Sequence, residues 1–311
     1  MPDLLGIIFS TDFAYSVLRV TTPILFAAMA AVVANTAGTP NIALEGIMLF
    51  SAFVGVVVSA FTASAWAGLL GAIIFGILLA AVLAFFTLYY KTNVILGGIA
   101  LNLFSSGGTI FFLYLFAHDK GTSASLPSKV LPQVDIPLIK DVPILGDIFS
   151  GHNVLTYCAI LCVIVVALMM RRTSFGFKLR AVGENPQAAT SVGIHVNRTR
   201  VIALLISGLL AGMGGAFMSM GYVSWFSRDM IAGRGWTAIA AEAMGRSSPI
   251  GTAATSFLFG FADALSNALG IYSVPSEFIR IIPYTATLIG LVAYSISVSR
   301  KKNPLRKMKK A

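Results

Sequence analysis

The feature that most limits what this chain can become is a succession of long apolar stretches separated by short polar ones. The stretch 66–88, for example, contains no charged residue, and about 20 apolar residues suffice to cross the hydrocarbon core of a bilayer. Nine spans are expected, within a range of eight to ten, over 14–34, 42–60, 66–88, 94–117, 153–170, 200–222, 235–246, 250–270 and 279–299. The second follows a Gly38–Thr39–Pro40 breaker and contains Glu45, and the seventh is short and contains Glu242. Either is readable as a broken or re-entrant helix, which a membrane tolerates only where protein buries the loose backbone groups. Charged residues make up 11% of the chain, against about 25% in soluble domains. The expected fold class is therefore all-α, a polytopic transmembrane helical bundle forming one membrane domain over 1–311, with no separate water-soluble catalytic unit.

The formal charge of +10 is placed as topology, not as a nucleic-acid surface. Arg171, Arg172, Lys178, Arg180, Arg198 and Arg200 share one loop with a single acid, Glu184, and the tail after Arg300 is also strongly basic. Basic clusters beside spans mark the cytoplasmic side. The loop 171–200 and the C-terminus are thus expected inside. The loop 118–152, with four prolines and an even mix of charges, is expected outside. No aromatic or basic reading surface accompanies the charge, so nucleic acid is not an expected partner. Arg19, near one end of the first span, is expected to snorkel. Met1 to Thr11 lacks a basic segment, so no cleaved leader is expected.

Within the basic loop one stretch carries complete helix punctuation. Asn185 is suited to N-cap a helix, Pro186 to occupy its first position, and Gly193 to end it in the left-handed region. So short a helix is not stable alone. The small side chains of Ala188, Ala189 and Ser191 suit close approach by a partner surface; the alternative is a mere cap between two spans. Cys158 and Cys162 lie four apart on one expected helix, without the companions a zinc site requires, and read as apolar filling. No phosphate-binding G-x-x-x-x-G-K-[ST] pattern occurs, so any nucleotide chemistry belongs to another chain.

"TSFGFKLRAVGENPQAATSVGI" resembles the cytoplasmic coupling region of ABC-importer permeases, in the branch that handles branched-chain amino acids, ribose-type sugars and nucleosides. The pair Ala188–Ala189 followed by Gly193 is similar to the "EAA---G" signature through which such permeases meet their ATPase. The signature's glutamate is absent, with Gln187 in front of the alanines. "AGTPNIALEGIMLFSAF", "ISGLLAGMGGAF" and "GRGWTAIAAEAMGRSSPIGTA" resemble further elements of that branch, in the same order along the chain.

The resemblance implies an ATPase-coupling site at Gly183, Glu184, Asn185, Pro186, Ala188, Ala189 and Gly193. It implies ATP and Mg on a partner ATPase, with no cofactor on this chain and no enzymatic activity. Further implied partners are an external substrate-binding lipoprotein or periplasmic protein and a second, longer permease, with a homodimer as alternative. The implied location is the cell (inner) membrane. The spelling Asn-Ile-Ala-Leu-Glu-Gly is closest to nucleoside-type permeases, with simple sugars next.

Polar side chains inside spans are costly in lipid and face protein or a cavity. Asn41, Glu45, Asn102, Glu242, Asp263 and Asn267 are accordingly candidates for the translocation path, or for hydrogen bonds between helices. Glu45, Glu242 or Asp263 as proton carriers would define a secondary transporter instead. The copies Ile42-Ala43-Leu44-Glu45 and Ile239-Ala240-Ala241-Glu242 are a hint of an inverted repeat. Gly208, Gly212, Gly214 and Gly215 are expected at close helix contacts.

Overall fold

A computed structural model describes residues 10–137 and 142–270, together with Gly6, Thr285, Gly290 and Val292. Apart from those last three residues, the ninth expected span lies outside the described residues, as does the basic tail. Short polar side chains start most of the helices, as capping chemistry requires. Ser10 Oγ accepts from Phe13 N–H at the head of α1 (Thr11–Thr36). After α2 (Leu44–Thr62), Ser64 caps α3 (Ala65–Ala84), which continues into a π turn, Phe85–Tyr89. Asn93 caps α4 (Val94–Ala117).

The loop beyond α4 forms an antiparallel pair, β1 (Gln133–Val134) with β2 (His152–Asn153), around the short α5 (Leu145–Phe149). Asn153 then caps α6 (Val154–Arg172) and Thr173 caps α7 (Ser174–Glu184). There follow α8 (Pro186–Ser191), α9 (Val196–Phe217) with its π turn Met218–Tyr222, α10 (Arg234–Met244) and α11 (Pro249–Leu269).

Among the described residues six helices are long and apolar enough to cross a membrane: α1, α2, α3, α4, α6 and α9, with α3 and α9 counted through their π turns. The expected seventh span is only the 11-residue α10. The expected eighth, α11, has 21 residues but carries enough Ser, Thr, Asn and Asp to fall outside that set.

The bundle has a centre and a rim. α1 is the centre: from Val20 to Ala34 every residue is buried. It packs against α6, α9, α10 and α11, and α9 packs in turn against α2 and α3. α3, α4 and α6 form the rim and turn rows of large apolar side chains outward. The expected glycine contacts are present. A Cβ on Gly208 would overlap the carbonyl of Gly76 on α3, and the reverse also holds, so both positions need glycine for the backbones to meet. Cys158 and Cys162 are free and partly buried on α6.

Candidate coupling surface and translocation path

Two helices of this bundle begin in its interior. Between α1 and α2 the chain leaves the helix at Thr36, turns at Gly38 (φ +71°), and climbs beside α9. Arg200 Nε donates to the Ala37 carbonyl at 3.2 Å, and Asn41 Nδ2 donates to Ser207 Oγ at 2.9 Å. Those two contacts are seven residues apart on α9, a rise of about 10 Å. Asn41 Oδ1 accepts from Ala43 N–H, and Asn102 on α4 accepts from Gly46 N–H and donates to the Ile42 carbonyl. Both asparagines thus satisfy backbone groups freed by the break, which a membrane interior demands.

The second interior start is that of α10. Glu45, in the first turn of α2, accepts from Gly233 N–H at 2.8 Å through Oε1 and from Gly235 N–H at 2.7 Å through Oε2. One carboxylate therefore lies at the N-termini of two helices, where anionic charge is stabilised. At about 1.5 Å per residue, α10 covers about 16 Å, roughly half of a hydrocarbon core of about 30 Å. Its far end is fastened at the last turn of α1, where buried Glu242 accepts from Asn35 Nδ2 at 2.8 Å and from Ser247 Oγ at 2.5 Å.

α2 and α10 run in opposite directions from this start, as the inverted-repeat hint requires. The two Ile-Ala-X-Glu copies are nevertheless not equivalent, because Glu45 lies in the first turn of its helix and Glu242 in the last.

Asp263 pairs with Arg234 at 3.0 Å. The Arg234 guanidinium also lies 5.7 Å from the centre of the Tyr222 ring, and that of Arg19 lies 4.8 Å from it. Arg19 further donates to the Tyr222 carbonyl, at the end of the α9 π turn. Asn267, one helical turn beyond Asp263, is exposed. Arg234, Tyr222 and Asn35 take part in these contacts without having been expected from the sequence. The signal for Arg234 was Asp263 itself, since a carboxylate within a span calls for a counter-ion.

At the coupling loop Asn185 Oδ1 accepts from Gln187 and Ala188 N–H at 3.1 and 3.0 Å, Pro186 is the first helical residue, and Gly193 has φ +82°. Gly183 seats the loop, because a Cβ there would overlap the carbonyl of Thr36 at the end of α1. Glu184, Gln187, Ala188, Ser191 and Val192 are exposed. Ala189, expected on the docking face, is only 3% exposed. In a six-residue helix that rests on α7, one alanine must face inward, and packing gives that place to Ala189 and the outer face to Ala188.

Interior helix starts, a seated loop helix and an all-helical span region define a membrane permease domain. The chain belongs to the family described as branched-chain amino acid transport system / permease component, whose model matches residues 13–295. It is 32% identical over 290 residues to the nucleoside ABC transporter permease protein NupC of Lactococcus lactis, covering 90% of each chain. It is 30% identical over 305 residues to the guanosine ABC transporter permease protein NupQ of Bacillus subtilis, covering 94% of this chain and 93% of that one. It is 32% identical over 257 residues to the provisionally named glucose ABC transporter permease protein TsgC13 of Haloferax volcanii, covering 83% and 77%.

A solved inward-facing structure, assigned to the metal-chelate type of ABC transporter, shares the fold with a TM-score of 0.56 at 17% identity, over 95% of this chain and 90% of that one. The chain is accordingly a multi-pass ABC importer permease subunit and not an enzyme. Its family implies an ATPase and a binding protein as partners, which removes the secondary-transporter alternative.

Proposed function

We propose that this subunit carries a nucleoside inward through the cell (inner) membrane, with its C-terminus in the cytoplasm. The observation that carries the reading is end-to-end similarity, at 30–32% identity, to permeases named for nucleosides and guanosine. The interior chemistry agrees with a neutral solute. The formal charges of Glu45, Arg234, Asp263 and Arg19, linked through Tyr222 and the Arg234–Asp263 pair, sum to zero, so the group has no net charge to attract an ion of one sign. A hexose is the second reading, favoured by the glucose-type relative.

In this reading ATP and Mg bind the partner ATPase, which docks on Gly183, Glu184, Asn185, Pro186, Ala188 and Gly193 of the loop 171–200. The loop 118–152 faces the external binding protein. Movement of α8 reaches the path through the contact of Gly183 with Thr36, then through the segment 37–43, to Glu45 and α10. Reconstitution of the complete importer in proteoliposomes tests the function. Radiolabelled guanosine should accumulate with ATP and excess glucose should not compete; uptake driven by a pH gradient without nucleotide overturns the reading.

A further inference from the structure

The family assignment leaves open where on this bundle the solute passes, and the exposed side chains divide its surface. Away from their end turns, no exposed residue of α3, α4 or α6 carries a charge or an amide. Leu70, Leu78, Leu103, Phe111, Ile164 and Leu168 are typical of them, each more than half exposed. Such faces suit lipid tails.

The face shared by α1, α10 and α11 is different. On α1, Asp12, Ser16 and Arg19 are all exposed, and their spacing of four and three places them on one helical face. On α11, Asp263 and exposed Asn267 share a face, away from the apolar row Ile250, Leu258 and Phe261. Tyr222 and Arg234 join the two rows through the contacts above. Arg19 lies about 12 Å along α1 from its start and touches Tyr222 at the end of the α9 π turn, toward the outer ends of the spans, where a guanidinium still meets protein or water more favourably than lipid. Beside it is a cavity of about 60 Å³ lined with polar groups of Tyr15, Gln133, His152, Asn153 and Thr156, large enough for about two waters.

We propose that the solute route runs along this face in the half of the bundle opposite the coupling loop, with Ser16, Arg19, Asp263 and Asn267 as its wall. The proposal rests on the importer reading above. Arg19 supplies donors, the second Asp263 oxygen is an acceptor, and Ser16 and Asn267 are both. That mixture meets the hydroxyls and ring nitrogens of a nucleoside one at a time.

The test uses the complete importer in vesicles, with Cys158 and Cys162 changed to Ser. Ser16→Cys and Asn267→Cys should react with a membrane-impermeant cationic methanethiosulfonate at least tenfold faster than Leu103→Cys and Ile164→Cys. Guanosine delivered by the binding protein should slow both reactions several-fold. Rates equal to those of the rim positions overturn the proposal. So do fast reactions that guanosine leaves unchanged in a complex that still takes it up. Absence of guanosine uptake in the unlabelled complex sinks the substrate reading instead, and the rate contrast then decides the wall alone.

Discussion

At the scale of single residues, Glu45 has the most to hold. Its two oxygens satisfy the first free N–H groups of α10, and hydrogen bonds to a charged acceptor contribute about 1.5–3 kcal/mol each. Glu45→Ala should therefore destabilise the folded bundle by about 2–4 kcal/mol, and Glu45→Gln by roughly half of that, because the amide oxygen still accepts. Thermal unfolding of detergent-purified protein measures both; equal melting of wild type and Glu45→Ala would show the cap to be idle. The alanine pair makes a second contrast. Ala188→Arg places a long charged side chain on the exposed face proposed to dock the ATPase, and should abolish substrate-stimulated ATP hydrolysis at normal folded yield. Ala189→Arg forces the same group into a packed site, where overpacking costs about 1–3 kcal/mol and charge burial adds to it. It should lower the yield itself. Normal coupling in well-folded Ala188→Arg would remove α8 from the ATPase contact.

At the scale of elements, the β1–β2 loop carries a pH-sensitive support. His152 stacks on Tyr15 with ring centres 3.9 Å apart, and its Nε2–H donates to the Ile148 carbonyl at 2.9 Å. Burial holds its pKa below the ordinary 6.5, and the nearby Arg19 charge acts in the same direction, against the opposing hydrogen bond. In the unfolded chain His152 takes up a proton near its ordinary value, whereas the folded loop resists doing so. Stability is therefore complete above pH 6.5 and declines as the pH falls below it, until the lowered folded value is reached. Melting temperature followed from pH 8 to pH 5 should show this decline in the wild type, and a shallower one in His152→Gln. A parallel fall in both would assign the effect elsewhere. Local signals made such elements readable from sequence. The cap at Asn185, Pro186 at the first position and the left-handed Gly193 depend on a few neighbouring residues, and all are as expected. The direction of Ala189 and the Arg234–Asp263 pair were not readable, because each depends on which helices touch. Glu242 likewise meets Asn35 across 207 residues, a separation over which periodicity says nothing.

At the scale of the whole molecule, the proposed function calls for a partner to this chain. The apolar spacing of the sequence yielded the positions of the six helices long and apolar enough to cross, α1, α2, α3, α4, α6 and α9, because hydrophobic length is a property of each segment alone. It also marked the seventh segment as short enough for a broken or re-entrant helix, as the 11-residue α10 is, but did not show that Glu45 meets the start of that helix inside the bundle. Among the described residues the face of α1, α10 and α11 exposes Ser16 and Arg19 away from the helix ends, with Asp12 and Asn267 in the end turns. A wall of this kind encloses an aqueous route only when a second surface closes it, as lipid against Arg19 would be unfavourable. In the proposed reading the chain offers one coupling helix, α8, whereas a pair of ATPase subunits calls for two. A second permease supplying both the opposite wall and the other coupling helix satisfies the two requirements together. We therefore expect one copy of this chain, one copy of a related longer permease and two ATPase subunits in the assembled importer. Native mass spectrometry of the complex, purified through a tag on this chain at its natural expression level, measures the stoichiometry. Two copies of this chain with ATPase and no second permease would establish the homodimer, and would place two α1–α11 walls facing each other across the route.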